Sequence, residues 1–213
     1  MTTETLNISE AQLVEYSQAH NEPTWLTELR KEALKLTETL EMPKPDKTKI
    51  NRWDFDSFKQ HETTGGVYQT LEELPEAVKD IIDIDNSENL IIQHNNTLAF
   101  TKVSDSAKND GVIVEGLSEA LVNHPDLVKQ YFMNETVTVD EHRLTALHTA
   151  LLNGGAFVYV PKNVVVDSPI QYVVLHDDEQ ASFYNHVLIS TEESAEVTYV
   201  ENYLSNASGE GSQ

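Results

Sequence analysis

The groups able to do chemistry in this sequence are scattered. His176-Asp177-Asp178-Glu179 puts an imidazole beside three carboxylates, a cation-binding composition. It lies between two strand-like runs, where a solvated turn explains it better. Glu141, His142 and His148 fall on one predicted helix. There is no HExxH pattern, and histidines six residues apart stand roughly 120° from each other around a helix. Asp83 to Glu88 begins like a calcium loop, but Glu88 occupies the place of the required glycine and His94 that of the closing glutamate. His186 alternates within YNHVLIS and reads as a core or surface histidine. Glu201 lies between Tyr199 and Tyr203 at period two, and a carboxylate buried there would need a partner. The sequence has no GxxxxGK[ST] phosphate loop and no GxSxG nucleophile elbow. No catalytic residue and no metal ligand is therefore assigned, and cofactor-binding residues stay open.

Composition narrows the classes further. Without cysteine, the chain itself supplies no disulfide, zinc thiolate, cysteine nucleophile or thiolate ligand for an iron–sulfur cluster. Lys and Arg number 14 against 36 Asp and Glu, a formal charge of −22. A field of that sign repels phosphate backbones and anionic lipid, so neither nucleic acid nor membrane is an expected partner. It serves solubility or a basic partner protein. MTTETLNISEAQ carries no basic, apolar leader pattern, and no run approaches 18 apolar residues, so the expected location is the cytoplasm.

The elements that must position these groups follow from periodicity. Ser9 with Gln12 forms a capping box, with Ile8 and Leu13 placed as a hydrophobic staple. Pro23 suits the first turn of a second helix, whose predicted apolar face is Trp25, Leu29, Ala33, Leu36 and Leu40. MPKPD, from Met42, reads as a linker, and residues 47 to 70 as irregular surface structure with Trp53, Phe55 and Phe58 pinned to the body. Pro75 opens a short helix. Asn89 to Lys102 predicts a hairpin around His94-Asn95-Asn96. GVIV is a short strand. Ser118 is placed to cap a helix and Pro125 to start the next. Asp140 to Asn153 predicts a helix capped by Asp140, with Leu144, Leu147 and Leu151 on one face and a stop at Gly154.

After Gly155 the period becomes two. Runs start near Ala156, Ile170, Phe183 and Ala195, so alternate runs are 27 and 25 residues apart. That size suits one coil of a β-solenoid, with Gly154-Gly155 at the entry and Pro161 and Pro169 at corners. An antiparallel sandwich would give the same spacing. The tail SNASGEGSQ reads as a mobile loop or linker. A solenoid ending there lacks a cap, so the chain is expected to be cut short of a natural end, with an open edge that invites self-association. The predicted division is a helical region over 1–45, a mixed α/β region over 46–153, the start of the β-helix core over 154–204 and a tail over 205–213.

Asn153-Gly154-Gly155, Phe157 to Lys162, Val164, Val166, Pro169 and Ile170, preceded by Ala146-Leu147, resemble the SufB/SufD family of iron–sulfur cluster assembly proteins. His186 to Ile189 and Val197 to Glu201 look like the family's next coils. The resemblance implies an α+β chain: a helical N-terminal region, then a right-handed β-helix, of which this chain would hold the first coils, in the N-terminal half of a longer protein. It also implies a scaffold that pairs with a SufB-like subunit and a SufC-like ATPase, with the iron–sulfur cluster handled by the complex. SufB-like members tend to have cysteine just after the position of Glu201. Here Asn202 and Tyr203 stand there, which favours the SufD branch and argues against direct ligation. The alternative reading is a β-solenoid module that binds or hydrolyses carbohydrate in an acidic groove lined by Tyr159, Tyr172, Tyr184, Tyr199 and Tyr203.

Overall fold

The computed structural model describes residues 8–55, 65–82, 87–134 and 136–205. In chain order the elements are α1 (Glu10–Ala19), α2 (Thr24–Leu36), α3 (Glu76–Lys79), β1 (Asn89–His94), β2 (Thr97–Lys102), α4 (Asp105–Asn109), β3 (Ile113–Gly116), α5 (Leu117–Asn123), α6 (Pro125–Tyr131), α7 (Arg143–Leu151), β4 (Gly154–Val160), β5 (Ile170–His176), β6 (Asn185–Thr191) and β7 (Tyr199–Ser205). They divide into two compact units, each discontinuous in sequence: Met1–His61 with Leu121–Leu152, and Glu62–Ala120 with Asn153–Gln213.

The first unit is helical. Ser9 caps α1 through the expected box, its hydroxyl accepting from the Gln12 N–H while the Gln12 side chain accepts from the Ser9 N–H. The buried stripe of α2 is Leu26, Arg30 and Ala33, continued by its C-cap Thr37, largely one position round from the predicted face. Trp25, Leu29, Leu36 and Leu40 are only half-buried. An arginine at the centre of the stripe hid it from a search for apolar residues. α7 is shorter than predicted. Its N-cap is His142, whose Nδ1 accepts from the Thr145 N–H at 3.1 Å, and the helix ends before Gly154, which opens a strand. Trp53 is not pinned: it is 61% exposed, with the Phe55 ring as neighbour. Phe58 lies outside the described residues.

The second unit holds two sheets, and here the expected fold is corrected. The strands do not form the coils of a right-handed β-helix. They make a four-stranded sheet in the order β2-β1-β5-β7 and a separate three-stranded sheet in the order β3-β4-β6. Both sheets are mixed. β1–β2 and β3–β4 are antiparallel, whereas β1–β5, β5–β7 and β4–β6 are parallel. Strands from the region read as a lead-in, β1, β2 and β3, are thus integral to both sheets, and their antiparallel pairing breaks the solenoid pattern. The parallel pairs equally exclude the wholly antiparallel sandwich.

Ile91, Val114, Ala156, Val158, Ile170, Tyr172 and Val174 pack between the sheets. The other face of the four-stranded sheet presents Leu90, Ile92, Ala99, Val173 and Leu175 to Leu74, Val78 and Ile82 of the segment carrying α3. Burial on both faces matches the successive apolar residues Leu90 to Ile92 in β1 and Tyr172 to Leu175 in β5.

Candidate functional site

The most concentrated polar chemistry lies between the two sheets of the second unit. Gln93 of β1 points inward from an otherwise apolar run and is 3% exposed. Its amide must be satisfied there. Nε2 donates to the Asn95 carbonyl at 2.8 Å and to Asn185 Oδ1 at 3.0 Å. Oε1 accepts from the Gly155 N–H at 3.0 Å and from the Tyr172 hydroxyl at 2.5 Å. Asn185 Nδ2 donates back to the Tyr172 oxygen at 2.9 Å. Four strands, β1, β4, β5 and β6, meet in this network.

The Asn153-Gly154-Gly155 stretch is built around it. Asn153 donates to the Ser182 carbonyl and accepts from the Tyr184 N–H, both at 2.8 Å, which fastens the start of β4 beside β6. A Cβ on Gly154 would lie 2.3 Å from Asn185 Oδ1 and 2.5 Å from Gln93 Nε2. Gly155 has φ +135°, and a Cβ there would stand 1.9 Å from the His186 carbonyl oxygen. The residues that carry the family resemblance therefore set backbone geometry.

Beyond Tyr172 the inner face continues to β7, where Tyr172 pairs with Glu201 and Val174 with Tyr203. Burial holds the Tyr172 phenol well above its ordinary pKa, helped by Tyr203, Tyr199 and Glu201. Tyr199 is raised for the same first reason, with the Glu201 carboxylate adding to it. Tyr203 is pushed up to about 12, by burial and then by Glu201. These phenols stay protonated, and none is primed as a nucleophile. Tyr172 is fully buried, and Tyr159 points to the other side of its sheet, donating to Glu192 at 2.7 Å. The tyrosines thus line no common groove.

A second cluster was missed by sequence reading. His94, at the end of β1, accepts at Nδ1 from the Gly66 N–H (2.8 Å) and approaches the Tyr68 hydroxyl (2.9 Å). Its Nε2 faces Asp177 Oδ1 at 2.9 Å, and Asn95 Nδ2 donates to the same oxygen at 3.0 Å. Burial opposes ionisation of Asp177, but the hydrogen bonds from His94 and Asn95 outweigh it and hold the carboxyl below its ordinary value. Tyr68 is raised by burial and by Asp177, the wrong direction for an activated hydroxyl.

The predicted turn groups therefore diverge. His176 stacks on Phe183 at 5.8 Å, Asp177 is spent on His94 and Asn95, Asp178 accepts from the Gln180 N–H, and Glu179 is exposed. Glu141 is exposed, His142 caps α7, and burial followed by the Arg30 charge lowers His148. His186 is half-buried in β6. Asp83 to Asn86 lie outside the described residues. Among the described residues no three His, Cys, Asp or Glu side chains gather as a metal site, and no helix is long and apolar enough to cross a membrane.

In the first unit the missed group is Arg30, 1% exposed. It grips Glu22 with Nε at 2.8 Å and Nη2 at 2.6 Å. It also donates to the Ala150 and Leu152 carbonyls at the end of α7, at 2.9 and 2.8 Å. The signal available was a charged residue spaced four and three from Leu26 and Ala33.

Comparison with known proteins agrees with the motif. The family model for the SufBD protein N-terminal region matches residues 11–172. The iron–sulfur cluster assembly protein SufD of Bacillus subtilis strain 168 is 47% identical over 94% of this chain and 46% of its own length. A SufBD-family iron–sulfur cluster assembly protein of Staphylococcus haemolyticus is 30% identical over 88% of this chain and 42% of its own. One from Mycobacterium bovis is 28% identical over 92% and 24%. The chain spans less than half the length of each of these relatives. On the family match and the identity to a SufD, the chain belongs to the SufB/SufD family of iron–sulfur cluster assembly proteins and is SufD-like.

Proposed function

We propose that this chain contributes to a SufD-type scaffold subunit that pairs with a SufB-like subunit and a SufC-like ATPase in the cytoplasm. The observation that carries the reading is the 47% identity to a SufD across 94% of the chain. Two features support it. The family-like residues Asn153, Gly154 and Gly155 hold two sheets together and present no nucleophile. With no cysteine, the chain offers no thiolate to a cluster, so in this reading it binds no cofactor of its own and the cluster is cargo built by the complex. The role is structural, not enzymatic. The test is to retain the native-length protein from its own cells and weigh everything that comes with it. An ATPase and a cysteine-bearing SufB-like relative in stoichiometric amounts are expected. Recovery of the bait with neither would overturn the proposal.

A further inference from the structure

We infer that His94 is a proton-operated clip that holds the start of the 65–82 segment on the outer face of the four-stranded sheet. The segment covers that face through Leu74, Val78 and Ile82, packed on Leu90, Ile92, Val173 and Leu175. Its start touches the sheet through few polar tethers. The Tyr68 N–H donates to the Ala99 carbonyl at 2.9 Å, the Gly65 N–H to Thr97 Oγ1 at 2.9 Å, and the Gly66 N–H to His94 Nδ1 at 2.8 Å. The approach is close, since a Cβ on Gly65 would stand 2.0 Å from the His94 carbonyl oxygen.

The hydrogen bonds assign the tautomer. A backbone N–H can only donate, so Nδ1 carries no hydrogen. The ring hydrogen is on Nε2 and goes to Asp177 Oδ1. Protonation at Nδ1 affects the two groups facing it differently. The Tyr68 hydroxyl can rotate and accept from the new N–H. The Gly66 N–H cannot, and two donors are then left pointing at each other 2.8 Å apart. Gly66 must move away. The charged groups around the ring act on this balance. Asp177, in the turn after β5, faces the ring at Nε2, and Asp178 lies beside it with its carboxylate occupied by the Gln180 N–H. From β2, the uncharged Thr97 takes the Gly65 N–H. The His94 side chain is 13% exposed and Asp177 35%, so a proton has access. Histidine is the side chain that changes charge between about pH 5 and 8.

The experiment uses the 213-residue chain and follows two signals by NMR across that range. Long-range nitrogen–proton correlations report which ring nitrogen of His94 carries hydrogen. Amide exchange at Gly66, normalised to its intrinsic rate, reports the clip, with Ile92 in mid-strand as reference. At the upper end Nδ1 is bare and Gly66 is protected. As the ring titrates, Gly66 protection falls by roughly tenfold, the scale of one lost hydrogen bond, while Ile92 is unchanged. A hydrogen on Nδ1 at the upper end, a ring that does not titrate across the range, or Gly66 protection that ignores the titration would each overturn the inference.

Discussion

Arg30 illustrates how one side chain can organise a unit. A guanidinium that is 1% exposed must have its charge and its donors met, or the fold would not keep it. Glu22 meets the charge in a two-point contact, itself steadied by the Ser17 hydroxyl at 2.7 Å, and Tyr16 lies under the cation at 5.1 Å. The remaining donors take the carbonyls that α7 leaves unpaired at its C-terminus. Replacing Arg30 by Met strands both the Glu22 carboxylate and those carbonyls. The expected loss is about 3–5 kcal/mol in urea unfolding. Arg30→Met with Glu22→Leu removes the stranded charge as well and regains part of that loss. A single-variant cost under about 1 kcal/mol, the range of an exposed pair, would mean that the buried contact is not made.

Elements differ in how far their own residues specify them. The β1–β2 hairpin was legible because two apolar runs flank Asn95, which accepts φ +51° at the turn. The capping box of α1 and the Pro125 start of α6 were legible for the same reason: the contacts are local. Sheet membership was not. Asn89 lies beside Ile170, and Gly154 beside Asn185, and parallel pairing over such distances is chosen by packing rather than by any local pattern. Hence the period-two runs were recognised as strands but assigned to the wrong architecture. The polar network was not visible, because Gln93 sits at the end of an apolar run and its partners come from three other strands. Gly155 is where sequence and pairing meet. Gly155→Ala puts a Cβ 1.9 Å from the His186 carbonyl, in a backbone region costly for any L side chain, and breaks the β4–β6 register. Gly111 also has a positive φ, but its nearest neighbour would be 3.5 Å away. Gly111→Ala should cost only the left-handed strain, about 1–2 kcal/mol. Thermal unfolding should rank Gly155→Ala well below Gly111→Ala, and equal midpoints would contradict the close approach.

At the scale of the molecule, two opposing terms govern association. Among the described residues β6 and β7 are each terminal in their sheet, with one paired flank. Ile189 and Tyr203 on these strands are 40% and 56% exposed. An uncovered edge with apolar side chains is a template for another strand. Against this stands the charge of −22, which makes two copies repel at long range. The repulsion is screened over about 10 Å at 0.1 M salt and about 3 Å at 1 M, whereas hydrogen bonding and apolar contact at an edge are local. Association should therefore depend on concentration and strengthen as salt is added, the reverse of an ion-paired interface. Light scattering on the isolated chain should give a mean mass that climbs with protein concentration, more steeply at high salt. Ile189→Lys, which adds a charge to the edge without touching a buried position, should flatten that rise. A monomer mass independent of concentration at both salt levels would show that these edges do not recruit another copy.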